Sequence, residues 1–206
     1  MSPRPPLLLV VALACASCTP ATHSPTAMDD PTVVAIPDAS VSDVPVPQGW
    51  QVFVSEELGF QLAYPDAGTL TAGEESAVAR ITYPADPGTN VVEEVISISG
   101  VQGEPGCASP LAEGWSPEEL SPETVEVNGV PFLRQTHSGA AAGTSSVWVA
   151  YTTEREGRCV SLGYELRTFD PANLDPTRFP TPPVSVDAAE RVRGFEEMVA
   201  TFTWLR

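Results

Sequence analysis

Between Ser146 and Thr168 the chain reads SVWVAYTTEREGRCVSLGYELRT, and few arrangements satisfy such a run. Two segments rich in β-branched and aromatic residues, Val147–Thr153 and Arg158–Leu166, flank Glu154-Arg155-Glu156-Gly157, where a glycine supplies the positive φ that a short hairpin loop needs. With Thr153 opposite Arg158, Tyr151 faces Val160, Val149 faces Leu162 and Val147 faces Tyr164, so one side is wholly apolar. Cys159, Ser161, Gly163 and Glu165 point the other way. The spacing predicts an antiparallel hairpin with one core face, and the rest of the chain as material packed around it.

Upstream, Leu58–Pro65 alternates Leu58, Phe60, Leu62 and Tyr64 with small or polar residues, which predicts a half-buried strand stopped by Pro65. Ala77–Tyr83 repeats the pattern and also ends before proline, and Val91–Val101 reads as a third strand whose Ile96 and Ile98 face the core. Thr124–Val127 and Val130–Gln135 flank Asn128-Gly129, the pair that a type I′ turn requires. Ser109-Pro110 and Ser116-Pro117 each open a short helical turn, with Ser as N-cap and Pro in the first position. Asp187–Thr201 has the best helical signature: Asp187 at the N-cap, Glu190 three residues on, and Val192, Phe195 and Val199 on one stripe.

The first residues have a different character. Behind Arg4, the apolar run Leu7–Ala14 is too short to span a bilayer and ends in small residues, as a secretory signal peptide does. A cysteine directly after such residues resembles the lipobox of bacterial lipoproteins, whose cysteine is acylated and becomes the first residue of the mature chain. Cys15 follows Val11-Ala12-Leu13-Ala14 and fits that pattern; Cys18 is the alternative. The C-A-S-C spacing also matches thioredoxin-like redox sites, but the βαβ context that would activate a thiol is missing. The resemblance implies a signal peptide over 1–14 and contact with a bacterial membrane through the lipid anchor, each buried CH₂ contributing about 0.8 kcal/mol. Residues 15–48, dense in Pro, Thr and Asp, are expected to form a disordered tether that carries a domain over 49–206.

Ten arginines, no lysine and 27 acidic residues give a net charge of −17. A surface of that sign repels phosphate backbones and anionic headgroups, so no nucleic acid partner is expected. Behind a signal peptide, Cys107 and Cys159 are expected to form a disulfide, closing a ring of about 50 residues and pinning the segment around Cys107 to the hairpin face opposite the apolar one. Nothing resembles a catalytic or cofactor motif. His137 beside Ser138 lacks a nucleophile elbow and reads as a solvated loop residue. The pairs Glu56-Glu57, Glu74-Glu75, Glu93-Glu94, Glu118-Glu119 and Glu196-Glu197 read as solvated surface. Asp170–Asp175 lacks the spacing of a calcium loop, so neither metal nor cofactor is expected.

Trp50-x-x-Phe53 leading to Gly59-Phe60-Gln61-Leu62-Ala63-Tyr64-Pro65 resembles the opening of the PsbP-like domains found in many bacterial lipoproteins and in photosystem II extrinsic proteins. Phe195-x-x-Met198-Val199-x-Thr201-Phe202-x-Trp204 is similar to their closing helix and its ending. The resemblance implies an α+β fold, an antiparallel β-sheet with flanking helices in an α-β-α arrangement, and no enzymatic activity. The expectation is therefore a lipid-anchored, extracytoplasmic binding or accessory domain of the cell envelope with an envelope protein partner. The rival readings are an envelope hydrolase using His137 and acidic residues, marked by His137 and two carboxylates converging in one pocket, and a small-ligand carrier with a deep apolar cavity between helix and sheet.

Overall fold

The computed structural model describes residues 45–73, 77–102 and 106–205. Its strands are β1 (Trp50–Ser55), β2 (Phe60–Pro65), β3 (Thr69–Ala72), β4 (Ala77–Thr82), β5 (Val91–Gln102), β6 (Glu123–Val127), β7 (Val130–Ala141), β8 (Thr144–Arg155), β9 (Arg158–Phe169) and β10 (Thr203–Trp204), with one helix, α1 (Ala188–Val199), before the last. Seven strands form an antiparallel sheet in the order β3-β4-β5-β9-β8-β7-β6, and β1-β2-β10 form a second, smaller one. Single 3₁₀ turns at Pro110–Ala112, Pro117–Glu119 and Pro171–Asn173 complete the regular structure.

The central hairpin exists, but two residues out of the expected register. Thr153 pairs with Val160, Tyr151 with Leu162, Val149 with Tyr164 and Val147 with Leu166. The loop is only Glu156-Gly157, with φ of 54° and 73°, so Glu154 and Arg155 belong to the strand. Because side chains alternate with a period of two, a two-residue shift leaves both face compositions intact. Asn128-Gly129 forms the expected type of turn, with φ of 52° and 76°. A third such turn, Ala142-Gly143, extends β7 to Ala141 and puts His137 on a strand instead of a loop.

The apolar face of the large sheet carries Ile96, Ile98, Val149, Tyr151, Val160, Leu162, Tyr164 and Leu166, packed against Phe60 and Leu62 of β2 and against Phe195, Met198 and Val199 of α1. Asp187 caps α1 by accepting from Ala189 N at 2.8 Å and Glu190 N at 3.4 Å. At the helix end the Thr201 hydroxyl accepts from Ala63 N at 2.7 Å and donates to Met198 O at 2.7 Å, joining α1 to β2. The polar side expected for β2 is therefore buried too, Gln61 and Ala63 included. Arg134 adds a second clamp, pairing with Glu123 at 2.7 Å and with Glu196 at 3.0 Å, so Glu196 is not idle surface.

The opposite face is covered without a helix. A disulfide joins Cys107 to Cys159 and fixes the segment carrying the first two 3₁₀ turns, and Leu111 and Ala112 pack with Leu120, Trp148 and Ala150. Gly163 makes room for this layer, since a Cβ there would lie 2.8 Å from Leu111 Cδ1. The expected α-β-α arrangement with flanking helices is thus corrected to a β-rich fold with one helix on one face. The Ser-Pro starts do nucleate helical turns, but Gly114, at φ 83°, follows the first, and Ser121, at φ 42° and ahead of Pro122, follows the second, so neither lengthens.

Candidate binding pocket at the start of the helix

A pocket of about 610 Å³ opens between the first turns of α1 and the strands beneath it. Trp50, Tyr83, Tyr164 and Phe195 supply aromatic walls, Ile96, Val184 and Val186 aliphatic ones, and Glu94, Asp187, Glu190, Glu197 and Arg191 the charges. One wall is a strap, Val184–Asp187, that a buried asparagine holds in place. Asn90 donates its backbone N–H to Val184 O at 3.0 Å and accepts from Val186 N through Oδ1 at 2.9 Å. Its Nδ2 donates to Phe169 O at 2.7 Å. Asn90→Ala is expected to cost about 1–3 kcal/mol, the range for an unmade buried hydrogen bond, and to speed hydrogen exchange at the Val186 amide selectively. Exchange at Val186 as slow as in the parent protein would show that the strap holds without it.

Glu93 and Glu94 are neighbours on β5 and point to opposite faces, and only Glu93 lies on the outside, where it pairs with Arg80 at 3.0 Å and Arg167 at 3.3 Å. Glu94 is the correction to the surface reading, with a side chain only 10% exposed. It accepts from the Tyr164 hydroxyl at 3.0 Å and faces Arg191 Nη1 at 3.3 Å. Burial first, and the Glu94 charge second, push the Tyr83 hydroxyl up to about 12 and that of Tyr164 further still. Burial likewise raises Tyr64, and raises Tyr151 to about 12, so all four tyrosines of the chain are shifted the same way.

The sign of the consequence follows from proton counting. A tyrosine whose folded pKa exceeds its unfolded value of 10.0 keeps its proton in the fold after the unfolded chain has lost it. The associated stability is complete below pH 10.0 and is lost as pH rises from there through about 12. Denaturation midpoints are therefore expected to fall over that window, with tyrosinate absorbance appearing only as the chain unfolds. A normal tyrosinate titration in the folded protein would contradict the burial.

Gly194, in the interior of α1, lines the same pocket, and a Cβ built there meets nothing within 4 Å. A mid-helix glycine costs about 0.8–1 kcal/mol relative to alanine, and here no close packing explains it. Having no side chain, it leaves that side of the pocket unfilled. Gly194→Ala is expected to raise stability by that amount in urea denaturation; a loss would mean that the helix needs the glycine for its own packing.

His137 lies elsewhere. Its ring lies tilted by 38° against Trp115 with centroids 3.7 Å apart and stands 6.0 Å from Trp148, and Nδ1 is 3.5 Å from the Glu119 carbonyl oxygen. A second, more polar pocket of about 490 Å³ includes His137, Ser138 and Glu119. Glu119 is its single carboxylate, and that group already accepts from Ser116 N at 3.0 Å and Ser116 Oγ at 2.8 Å, contacts that hold it below the ordinary carboxylate range. Ser138, its neighbour in sequence, alternates to the other side of β7 from the imidazole. The two converging carboxylates required by the hydrolase reading are not brought to His137.

Asp170 caps the third 3₁₀ turn by accepting from Ala172 N at 2.9 Å, and Asp175 accepts from Thr177 N at 2.9 Å and Thr177 Oγ1 at 2.7 Å. Among the described residues no three His, Cys, Asp or Glu side chains converge as metal ligands, and no helix is long and apolar enough to cross a membrane. Cys15, Cys18, Glu74 and Glu75 lie outside the described residues, as do the signal peptide and most of the tether. The sequence reading missed Asn90, Arg191 and Gly194. Only the helix interior glycine carried a local signal.

No family model matches the chain, and no curated protein matches it. Among solved structures it is similar to cyanobacterial PsbP (CyanoP) from Synechocystis, at 13% identity over 80% of this chain and 97% of that one, with a TM-score of 0.46. It is also similar to LpqN, described as involved in cell envelope biogenesis of Mycobacterium tuberculosis, at 16% identity over 71% of this chain and 83% of that one, with a TM-score of 0.41. A third similar structure, from Bacteroides thetaiotaomicron, shares 14% identity over 77% of this chain at a TM-score of 0.47, and the chain spans about half of its length, 49%. One of these similar structures is a PsbP protein, the family that the two ends of the sequence resemble.

Proposed function

We propose that the domain is a non-catalytic binding module of a bacterial cell envelope, held outside the cytoplasm by an acylated Cys15, or Cys18 in its place, and that its binding site is the pocket under the start of α1. The observation that carries this reading is the pocket itself: aromatic walls, a buried carboxylate and a helix glycine that leaves the space clear. Its volume falls within the roughly 300–1,000 Å³ of ordinary ligand sites. It is open and rimmed with charge, unlike the deep apolar cavity of a carrier, which favours an envelope partner presenting a group to it. The Cys107–Cys159 bond fits an oxidising compartment, and a net charge of −17 disfavours nucleic acid.

The test uses the full chain in its native membrane, with a photo-crosslinking residue at Val184, which is 69% exposed on the pocket rim. A discrete adduct is expected, and Gly194→Trp, which fills the pocket from the helix, is expected to abolish it. An adduct indifferent to Gly194→Trp would move the binding site elsewhere. A mature chain whose mass shows no acyl group on Cys15 or Cys18 would remove the anchor.

A further inference from the structure

The pocket sets four carboxylates against one guanidinium, within a chain that is itself strongly acidic. Asp187 is engaged as the helix cap, but Glu94, Glu190 and Glu197 remain around the opening. The same space is lined by the aromatic rings of Trp50 and Tyr83, and by Tyr164 and Phe195, which stack on each other with centroids 5.4 Å apart. Aromatic faces and carboxylates share one preference, a cation with apolar surface, and both disfavour an anion. A neutral apolar ligand would gain from the walls while stripping water from the carboxylates without compensation.

We propose that this pocket accepts an organic cation, an ammonium or guanidinium borne on an apolar body, whose charge pairs with Glu94 in the place that Arg191 fills in the free protein. The inference rests on the pocket being the binding site and adds the chemistry of what enters it. Glu94 is prepared for such an exchange. Tyr164 holds one carboxylate oxygen at 3.0 Å, while the other, among the described residues, pairs with Arg191 alone, at 3.3 Å, from a side chain that is 41% exposed. A carboxylate this buried would be costly to leave unpaired, but a ligand cation that takes over the pairing lets the half-exposed Arg191 move to solvent at small net cost. The Tyr83 ring borders the same site, and its hydroxyl forms no hydrogen bond with any described residue, leaving it available to a ligand. The volume of about 610 Å³ exceeds what one charged group needs and leaves room for the body that carries it.

Three probes that share a phenyl ring and differ in charge test this on the full chain by calorimetry: phenethylguanidinium, phenethyl alcohol and phenylpropionate. The guanidinium is expected to bind at least about tenfold more tightly than either of the others. Glu94→Gln is expected to erase that preference, Glu190→Gln and Glu197→Gln to weaken it by a few fold each, and Arg191→Gln to strengthen cation binding several-fold by removing the resident competitor. The rim variants and Arg191→Gln remain informative even if Glu94→Gln disturbs folding. A short peptide with one internal arginine separates the sources: tighter binding than phenethylguanidinium points to a partner's side chain, and equal or weaker binding to a free small molecule.

Equal binding of the alcohol and the guanidinium, or weaker binding after Arg191→Gln, overturns the cation assignment. If the neutral or acidic probe binds best and Gly194→Trp blocks it, the assignment falls while the pocket stands as the binding site. If no probe binds at millimolar concentration, the assignment falls, and the Val184 crosslink alone decides whether the pocket reading falls with it.

Discussion

Phe202→Ala is expected to remove about 3–5 kcal/mol of stability, a large share of the roughly 5–15 kcal/mol that holds an ordinary domain folded. The reason lies in what this side chain joins. Phe202 is fully buried, stacks on Phe60 of the small sheet with centroids 5.2 Å apart, and meets Phe132 of the large sheet edge-on at 5.1 Å. Trp204 closes the group at 5.2 Å. Truncation leaves a cavity where two sheets and the helix end converge, and neighbours fixed in separate strands have little freedom to collapse into it. The measurement is the urea midpoint at unchanged slope. Phe202→Leu, which keeps most of the volume, is expected to lose less than about 1.5 kcal/mol. A loss within 1 kcal/mol of zero for the alanine variant would mean that the two sheets are not joined through this cluster.

The parts of this arrangement that were legible in the chain are those whose signal is local. The faces of the central hairpin, the turn at Asn128-Gly129 and the cap at Asp187 all follow from a few adjacent residues. The hairpin register did not, because registers two apart present the same faces, and only the loop length separates them. Glu156 takes φ 54° there, a conformation that glutamate does not advertise. Strand β3 was invisible for another reason: Thr69–Ala72 is exposed throughout, so it has no alternation to read. The second half of β7 passes through Gly139-Ala140-Ala141, whose weak strand propensity is overridden by pairing with β8.

The pocket was the least legible feature. Trp50, Tyr83, Glu94, Tyr164 and Arg191 come from five separate stretches, and each taken alone fits a bland surface or core role. Glu94 illustrates the limit. Beside Glu93 it reads as half of a solvated pair, and only the sheet register, placing Glu94 opposite Leu166 while Ile96 pairs with Tyr164, turns it inward.

The second large effect expected is loss of the disulfide. Replacing both Cys107 and Cys159 by alanine frees a loop with a sequence separation of 52, which the chain-entropy model values at about 4 kcal/mol, within the 2–5 kcal/mol typical of native bonds. The outer piece it pins, residues 106–122 ahead of β6, has few other contacts to hold it. Leu111, Ala112 and Leu120 form a small apolar layer with Trp148 and Ala150, and Leu120 O accepts one backbone hydrogen bond from Thr136 N at 2.9 Å. Without the bond, the Trp115–His137 contact is expected to loosen, visible as a shift in tryptophan emission and as new protease cleavage between residues 106 and 122. The binding pocket lies at the opposite face of the large sheet and none of these residues lines it, so binding of phenethylguanidinium to the fraction that remains folded should be unchanged. Coupled loss of loop order and pocket binding would show that the sheet transmits between its faces, whereas unchanged stability would assign the order of the outer layer to its apolar contacts and not to the covalent bond.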